Sequence, residues 1–199
     1  MAGRTQFANI PQEFGKANFH GQITMSGAGK CTLAFRPDLD MTTIAGQDFV
    51  PDNVFRGVVQ GYSLPVWDAN NEQLFLEMHV PFRWDGTSDI SVHVECYLAV
   101  AETDAFFRLE IGYYTFTPGV DVVTSGVTLV NTNTATGAGA AQYQSYEVVI
   151  TVPAAGIVSG DMMAFRLRRV AATGQECSGE IVVFHTGLVF VRDKMGKPV

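Results

Sequence analysis

Leu74-Phe75-Leu76-Glu77-Met78-His79-Val80 and, beyond Trp84-Asp85-Gly86-Thr87-Ser88-Asp89, Ile90-Ser91-Val92-His93-Val94-Glu95-Cys96-Tyr97-Leu98-Ala99-Val100 decide the fold. Leu74, Leu76, Met78 and Val80 form one row; Ile90, Val92, Val94, Cys96, Leu98 and Val100 form another. A third run extends from Phe106 to Phe116. Successive side chains on a strand point to opposite faces, so a sustained period of two predicts β-strands with one face in a core.

Working outward, Val54 to Val59 and Tyr62 to Trp67 are weaker strand candidates, and Pro65 marks the second as an edge or bulged strand. Gln22 to Ser26 and Lys30 to Arg36 suit a hairpin around Gly27-Ala28-Gly29. The same text is not a P-loop, because Thr24 stands where that pattern needs Gly and Cys31 where it needs Ser or Thr. Past Thr117-Pro118-Gly119, a short strand is expected over Val122 to Val130. Asn131 to Ala141 holds no large apolar residue and predicts an exposed loop. Tyr146 to Val152 and Met162 to Val170 alternate again.

The last strand, Glu180 to Arg192, is apolar on both faces: Ile181, Val183, Val189 and Val191 in one row, Val182, Phe184, Leu188 and Phe190 in the other. Such a strand is central in a covered sheet, or its second face meets another subunit. About eight strands and no long helix predict an all-β antiparallel sandwich, a jelly roll of two four-stranded sheets spanning residues 20–199. An immunoglobulin-like sandwich is the alternative, weakened by the missing Cys-Trp-Cys spacing.

The 199 residues suit one such domain, and the formal charge of −7 disfavours tracking a phosphate backbone. A local basic patch around Arg166, Arg168 and Arg169 stays open. No apolar run is long enough for a membrane span, and the start has no signal-like apolar region, so folding in a reducing cytosol is expected. Cys31, Cys96 and Cys177 form no C-x-x-C, and Cys96 reads as a buried, inert thiol. Residues 1–19 lack strand alternation. Phe7, Ile10, Phe14 and Phe19 either fray with the terminus or form an extended arm lying on a neighbouring subunit.

The histidines are His20, His79, His93 and His185. His79 and His93, with Glu77 and Glu95, sit on polar rows of consecutive strands, where a hairpin would bring them together for metal or acid–base chemistry. A cupin-like site needs His-x-His, and this chain has His93-Val94-Glu95; an ordinary polar sheet face is the commoner outcome. Two of Glu77, Glu95 and Glu110 could reach glycosidase spacing. Trp67, Trp84 and Tyr97 could stack on a sugar, although packing is the more frequent fate of such rings. No catalytic residue, metal ligand or cofactor is expected.

The segment Leu74 to Pro81 with Trp84 to Val94 resembles a motif of tailed-bacteriophage virion proteins, in which an apolar strand ends in Pro and an aromatic turn leads to Gly-Thr-Asp-Ile. Phe107 to Tyr113, Gly160 to Arg169 and Phe190 to Gly196 resemble its later segments in order. An extra residue falls between Thr87 and Asp89, Val92 replaces Pro, Glu95 the second His and Cys96 the aromatic, so no His-x-His role carries over. The resemblance implies a jelly-roll virion structural protein, usually trimeric and without known catalysis, assembled in the host cytoplasm. An auxiliary capsid protein binding the major capsid protein, with Phe7, Ile10, Phe14 and Phe19 as subunit or capsid contacts, is the favoured role. A receptor- or glycan-binding module of a phage tail is the alternative.

Overall fold

The computed structural model describes residues 32–35, 53–65, 72–82, 84–119 and 126–191. Within them lie ten strands: β1 Thr32–Phe35, β2 Asn53–Arg56, β3 Val59–Leu64, β4 Gln73–His79, β5 Ile90–Leu98, β6 Phe106–Phe116, β7 Thr128–Ala135, β8 Ser145–Val152, β9 Met162–Val170 and β10 Ile181–Val191. They form two antiparallel sheets. One has the order β2-β3-β10-β5-β8, with β1 also paired to β10; the other has β4-β9-β6-β7. The sheets therefore hold six and four strands, where the sequence predicts four and four. The surplus is β1 and β2, two four-residue strands added beside β10 and β3.

The apolar rows meet between the sheets. Leu74, Leu76 and Met78 of β4, Phe107, Leu109 and Ile111 of β6, and Met163, Phe165 and Leu167 of β9 face Ile90 to Leu98 of β5 and Val148, Ile150 and Val152 of β8 in one core. Each such aliphatic side chain contributes roughly 1.5–3 kcal/mol on leaving water, so a register slip by one residue would expose a whole row at once. Phe106 to Phe116 and Met162 to Val170 are strands over the predicted spans. Val100 falls past the end of β5 and is exposed.

Other expectations are corrected. Gly57, at a φ of 60°, turns the chain inside the strand expected over Val54 to Val59, and β2 and β3 form the hairpin instead. The hairpin's second strand lies between β2 and β10 and ends before Pro65, so proline stops the strand and does not mark an edge. Asn131 to Ala135 is strand and not loop, as part of β7. Its Asn and Thr side chains have little to bury, but the backbone ladder with β6 runs from Phe106↔Ala135 to Tyr113↔Thr128. Five of its eight residues are exposed, and Thr132 and Thr134 lie on the half-buried row, which suits β-branched side chains. The arm 1–19, the hairpin's first half Gln22 to Ser26, and Val122 to Thr124 lie outside the described residues, as does residue 192.

The last strand resolves its double row through a bulge. The pairing with β5 passes from Val183↔Cys96 to His185↔Glu95, leaving Phe184 as an extra residue. Two consecutive residues, Phe184 and His185, thus share the outer face, and inward parity resumes at Thr186, Leu188 and Phe190. Ile181 and Val183 therefore share the core with Leu188 and Phe190, not with Val189 and Val191. Deleting Phe184 should keep every other β10 side chain on its present face and preserve a cooperative thermal transition at a lowered temperature. Deleting Thr186 should turn Leu188 and Phe190 outward and abolish that transition, as circular dichroism melts would record.

Candidate functional site

β5 lies between β10 and the edge strand β8, and its outward residues Ser91, His93, Glu95 and Tyr97 run along the six-stranded sheet's outer face. At one end, Tyr97 stacks on Phe184 with ring centroids 6.1 Å apart and meets Tyr143 edge-on at 6.0 Å. The Arg56 guanidinium lies 3.0 Å over the Tyr143 ring. Burial raises the Tyr97 pKa; the Arg56 charge opposes that and Tyr143 adds to it. Tyr143 has a φ of 67°, a left-handed backbone that costs a bulky residue on the order of 1–3 kcal/mol. Its N–H donates to the Leu98 carbonyl at 2.8 Å.

One rung further, Glu95 stands directly opposite Glu147 on β8 and His185 on β10. Like charges directly opposite are unfavourable. Each carboxylate has an imidazole beside it: His93 Nδ1 is 2.6 Å from Glu147 Oε1, and His185 Nδ1 is 3.5 Å from Glu95 Oε1. The second contact lacks hydrogen-bond geometry, and both ring nitrogens of His185 are buried without a partner. Among the described residues no three His, Cys, Asp or Glu side chains are gathered as metal ligands.

The expected meeting of His79 and Glu77 with His93 and Glu95 does not form. The turn from Pro81 to Asp89 carries the chain from one sheet to the other, so β4 and β5 present their polar rows on opposite outsides of the sandwich. For the same reason Glu95 is remote from Glu77 and Glu110. Those two share a sheet but are separated by β9, and Glu110 is held by the Arg168 Nε at 2.7 Å. Of the actual neighbours of Glu95, Glu147 carried no signal in the sequence beyond its outward parity, and His185 has the inward parity of Ile181 and Val183 and is turned outward only by the bulge.

Trp84 is 3% exposed, and its Nε1 donates to the Ser88 carbonyl at 2.8 Å, so it is no platform for a sugar. Beside it Asp85 accepts from Thr87 N and from Ser88 N and Oγ. Slight burial raises the Asp85 pKa, but these hydrogen bonds outweigh it and hold the carboxyl below its usual range. Trp67, His20, Cys31, Phe7, Ile10, Phe14 and Phe19 lie outside the described residues. Cys96 and Cys177 are free and buried, with their thiols pushed by burial up to about 12 and about 11.

The basic triplet separates. Arg169 points inward, 3% exposed, where Nη1 and Nη2 donate to the carbonyls of Gly179 and Cys177 at 2.6 and 2.8 Å and Nη2 meets Glu176 Oε1 at 2.6 Å. Nη1 also reaches Pro65 O at 3.3 Å, so this guanidinium ties the end of β9 to the loop 172–179 and the end of β3. Arg168 points outward to Glu110, and among the described residues the outward Arg166 forms no ion pair and its Nε has no hydrogen-bond partner.

Arg169→Ala should lower stability by about 3–5 kcal/mol in urea unfolding, because it strands a partly buried carboxylate and three carbonyls. Alkylation of the native protein followed by peptide mapping should leave Cys96 and Cys177 unmodified, and denaturant should expose both, since only the thiolate reacts. No protein-family model and no curated sequence matches the chain. Among solved structures it is similar to dimeric latent PorU from Porphyromonas gingivalis, with a TM-score of 0.40 and 6% identity, over 86% of this chain and 14% of that one.

Proposed function

We propose that this chain is a non-catalytic structural protein of a tailed-bacteriophage virion, a jelly-roll homotrimer that binds the major capsid protein and stabilises the capsid shell. The observation that carries this reading is where the resembling segments fall. Leu74 to Val94 spans β4, the Trp84 turn and most of β5; Phe107 to Tyr113 lies in β6; Gly160 to Arg169 leads into β9; Phe190 opens the segment that ends β10. The motif thus follows successive strands of both sheets. The orders β3-β10-β5-β8 and β4-β9-β6-β7 also agree with eight strands wound as two Greek keys, with β1 and β2 as additions.

A fold of this kind hosts many functions, and the shell role rests on the resemblance together with a surface suited to adhesion. Phe55, Val58, Phe82 and Val158 are all more than half exposed. A trimer on a local symmetry axis presents three copies of every contact, and their effective concentration tightens the whole beyond any one of them. Binding only the assembled shell stabilises it by about 2.7 kcal/mol at a hundred times the dissociation constant.

The experiment is co-sedimentation with purified shells that lack this chain. The full chain should pellet with them and raise their melting temperature. Removing residues 1–19, and with them Phe7, Ile10, Phe14 and Phe19, should leave the circular dichroism spectrum intact and release the protein to the supernatant. Undiminished retention of the truncated chain would refute the arm's role.

A further inference from the structure

The outer face of the four-stranded sheet carries a rung, Phe75–Arg166–Gly112–Leu129, that crosses all four strands. Gly112 has no side chain, and Arg166 lies against its bare backbone. A Cβ there would meet Val127 Cγ1 at 2.9 Å, Leu129 Cδ2 at 3.2 Å and the Arg166 Nε at 3.3 Å. That Nε is buried and has no hydrogen-bond partner. The other described arginines are engaged: Arg168 with Glu110, Arg169 with Glu176, Arg108 with Asn131 and Arg56 with the Tyr143 ring. Burial, then the neighbouring Arg168 charge, draw the Arg166 pKa below its ordinary value against the opposite pull of Glu110.

Arg166 as a whole is only partly buried, but withdrawing its Nε from water without an acceptor is unfavourable. Beside the guanidinium, Leu129 is 49% exposed and Val127 44% exposed, so the cation sits in an apolar rim that is itself uncovered.

We propose that this rung is the docking surface for an acidic side chain, flanked by apolar residues, on the shell protein. The carboxylate meets Arg166, and the apolar flank covers Leu129 and Val127. Charge complementarity selects this occupant: guanidinium and carboxylate form short, charge-assisted hydrogen bonds, and arginine within an apolar ring is a frequent centre of binding energy. The partner's identity rests on the shell-binding function proposed above.

The test compares the full chain with Arg166→Met and Leu129→Glu by thermal melting, sedimentation velocity and co-sedimentation with purified shells. Arg166→Met should melt at or above the unsubstituted protein, keep its oligomeric state, and bind shells roughly tenfold or more weakly. Leu129→Glu should weaken binding as well, by placing a like charge against the incoming carboxylate. Equal binding by the unsubstituted chain and Arg166→Met overturns the docking surface and leaves the shell function standing. No binding by the unsubstituted chain overturns that function and this surface with it. A changed oligomeric state in Arg166→Met assigns the rung to a second copy and overturns the shell partner. A variant that melts markedly lower shows that Arg166 serves folding, which also overturns the proposal.

Discussion

A strand in the middle of a two-layer sandwich has to turn its apolar side chains to one side along its whole length, and the residues of β10 do not alternate that way. Ile181 and Val183 have one parity, Leu188 and Phe190 the other, yet all four are in the core. One extra residue, Phe184, reconciles them. The sheet depends on this device, because β10 pairs with β5 on one side and with β3 and then β1 on the other. A bulge also re-aims the side chains at its own position. Here it sets Phe184 under Tyr97 and His185 beside Glu95 on the outer face, so the constraint that closes the core also furnishes the groups outside it.

The two outer faces then differ in how their charges are treated. On the six-stranded sheet, acidic side chains are answered within the chain by imidazoles, and the aromatic end is closed by Arg56 over Tyr143. On the four-stranded sheet, Arg168 is answered by Glu110, and among the described residues its neighbour two residues earlier forms no ion pair and has a buried Nε without a hydrogen-bond partner. Arg169, one residue further, has the opposite parity and is saturated by Glu176 and backbone carbonyls. Three arginines within four positions therefore serve three ends, set by which side of β9 each faces and what lies across it.

Much of the fold was legible because alternation is a local property. The rows of β4, β5, β6, β8 and β9 could be read directly, and the Trp84 to Asp89 turn announced itself through Asp85-Gly86. The part of β7 from Asn131 to Ala135 was missed because edge strands are held by backbone ladders, and Thr and Asn leave no hydrophobic trace of that. The β10 rows were drawn on an unbroken period of two, which a single inserted residue defeats. The candidate site was hardly legible at all: Glu95 was named, but with Glu77 and His79 as neighbours, as a hairpin in one sheet would have placed them.

By itself the sequence determined that the strongly alternating segments are strands, which of their residues are apolar enough to be buried, and where most turns come, since each follows from side chains a few positions apart. Only the tertiary structure decided that β4 and β5 lie in different sheets, that His93 meets Glu147 across β5 and β8, and that the Arg166 Nε lies against a glycine without a hydrogen-bond partner. The physical reason is that strand pairing joins residues distant along the chain. Period-two patterns specify a face for each side chain but carry no record of which strand will lie alongside.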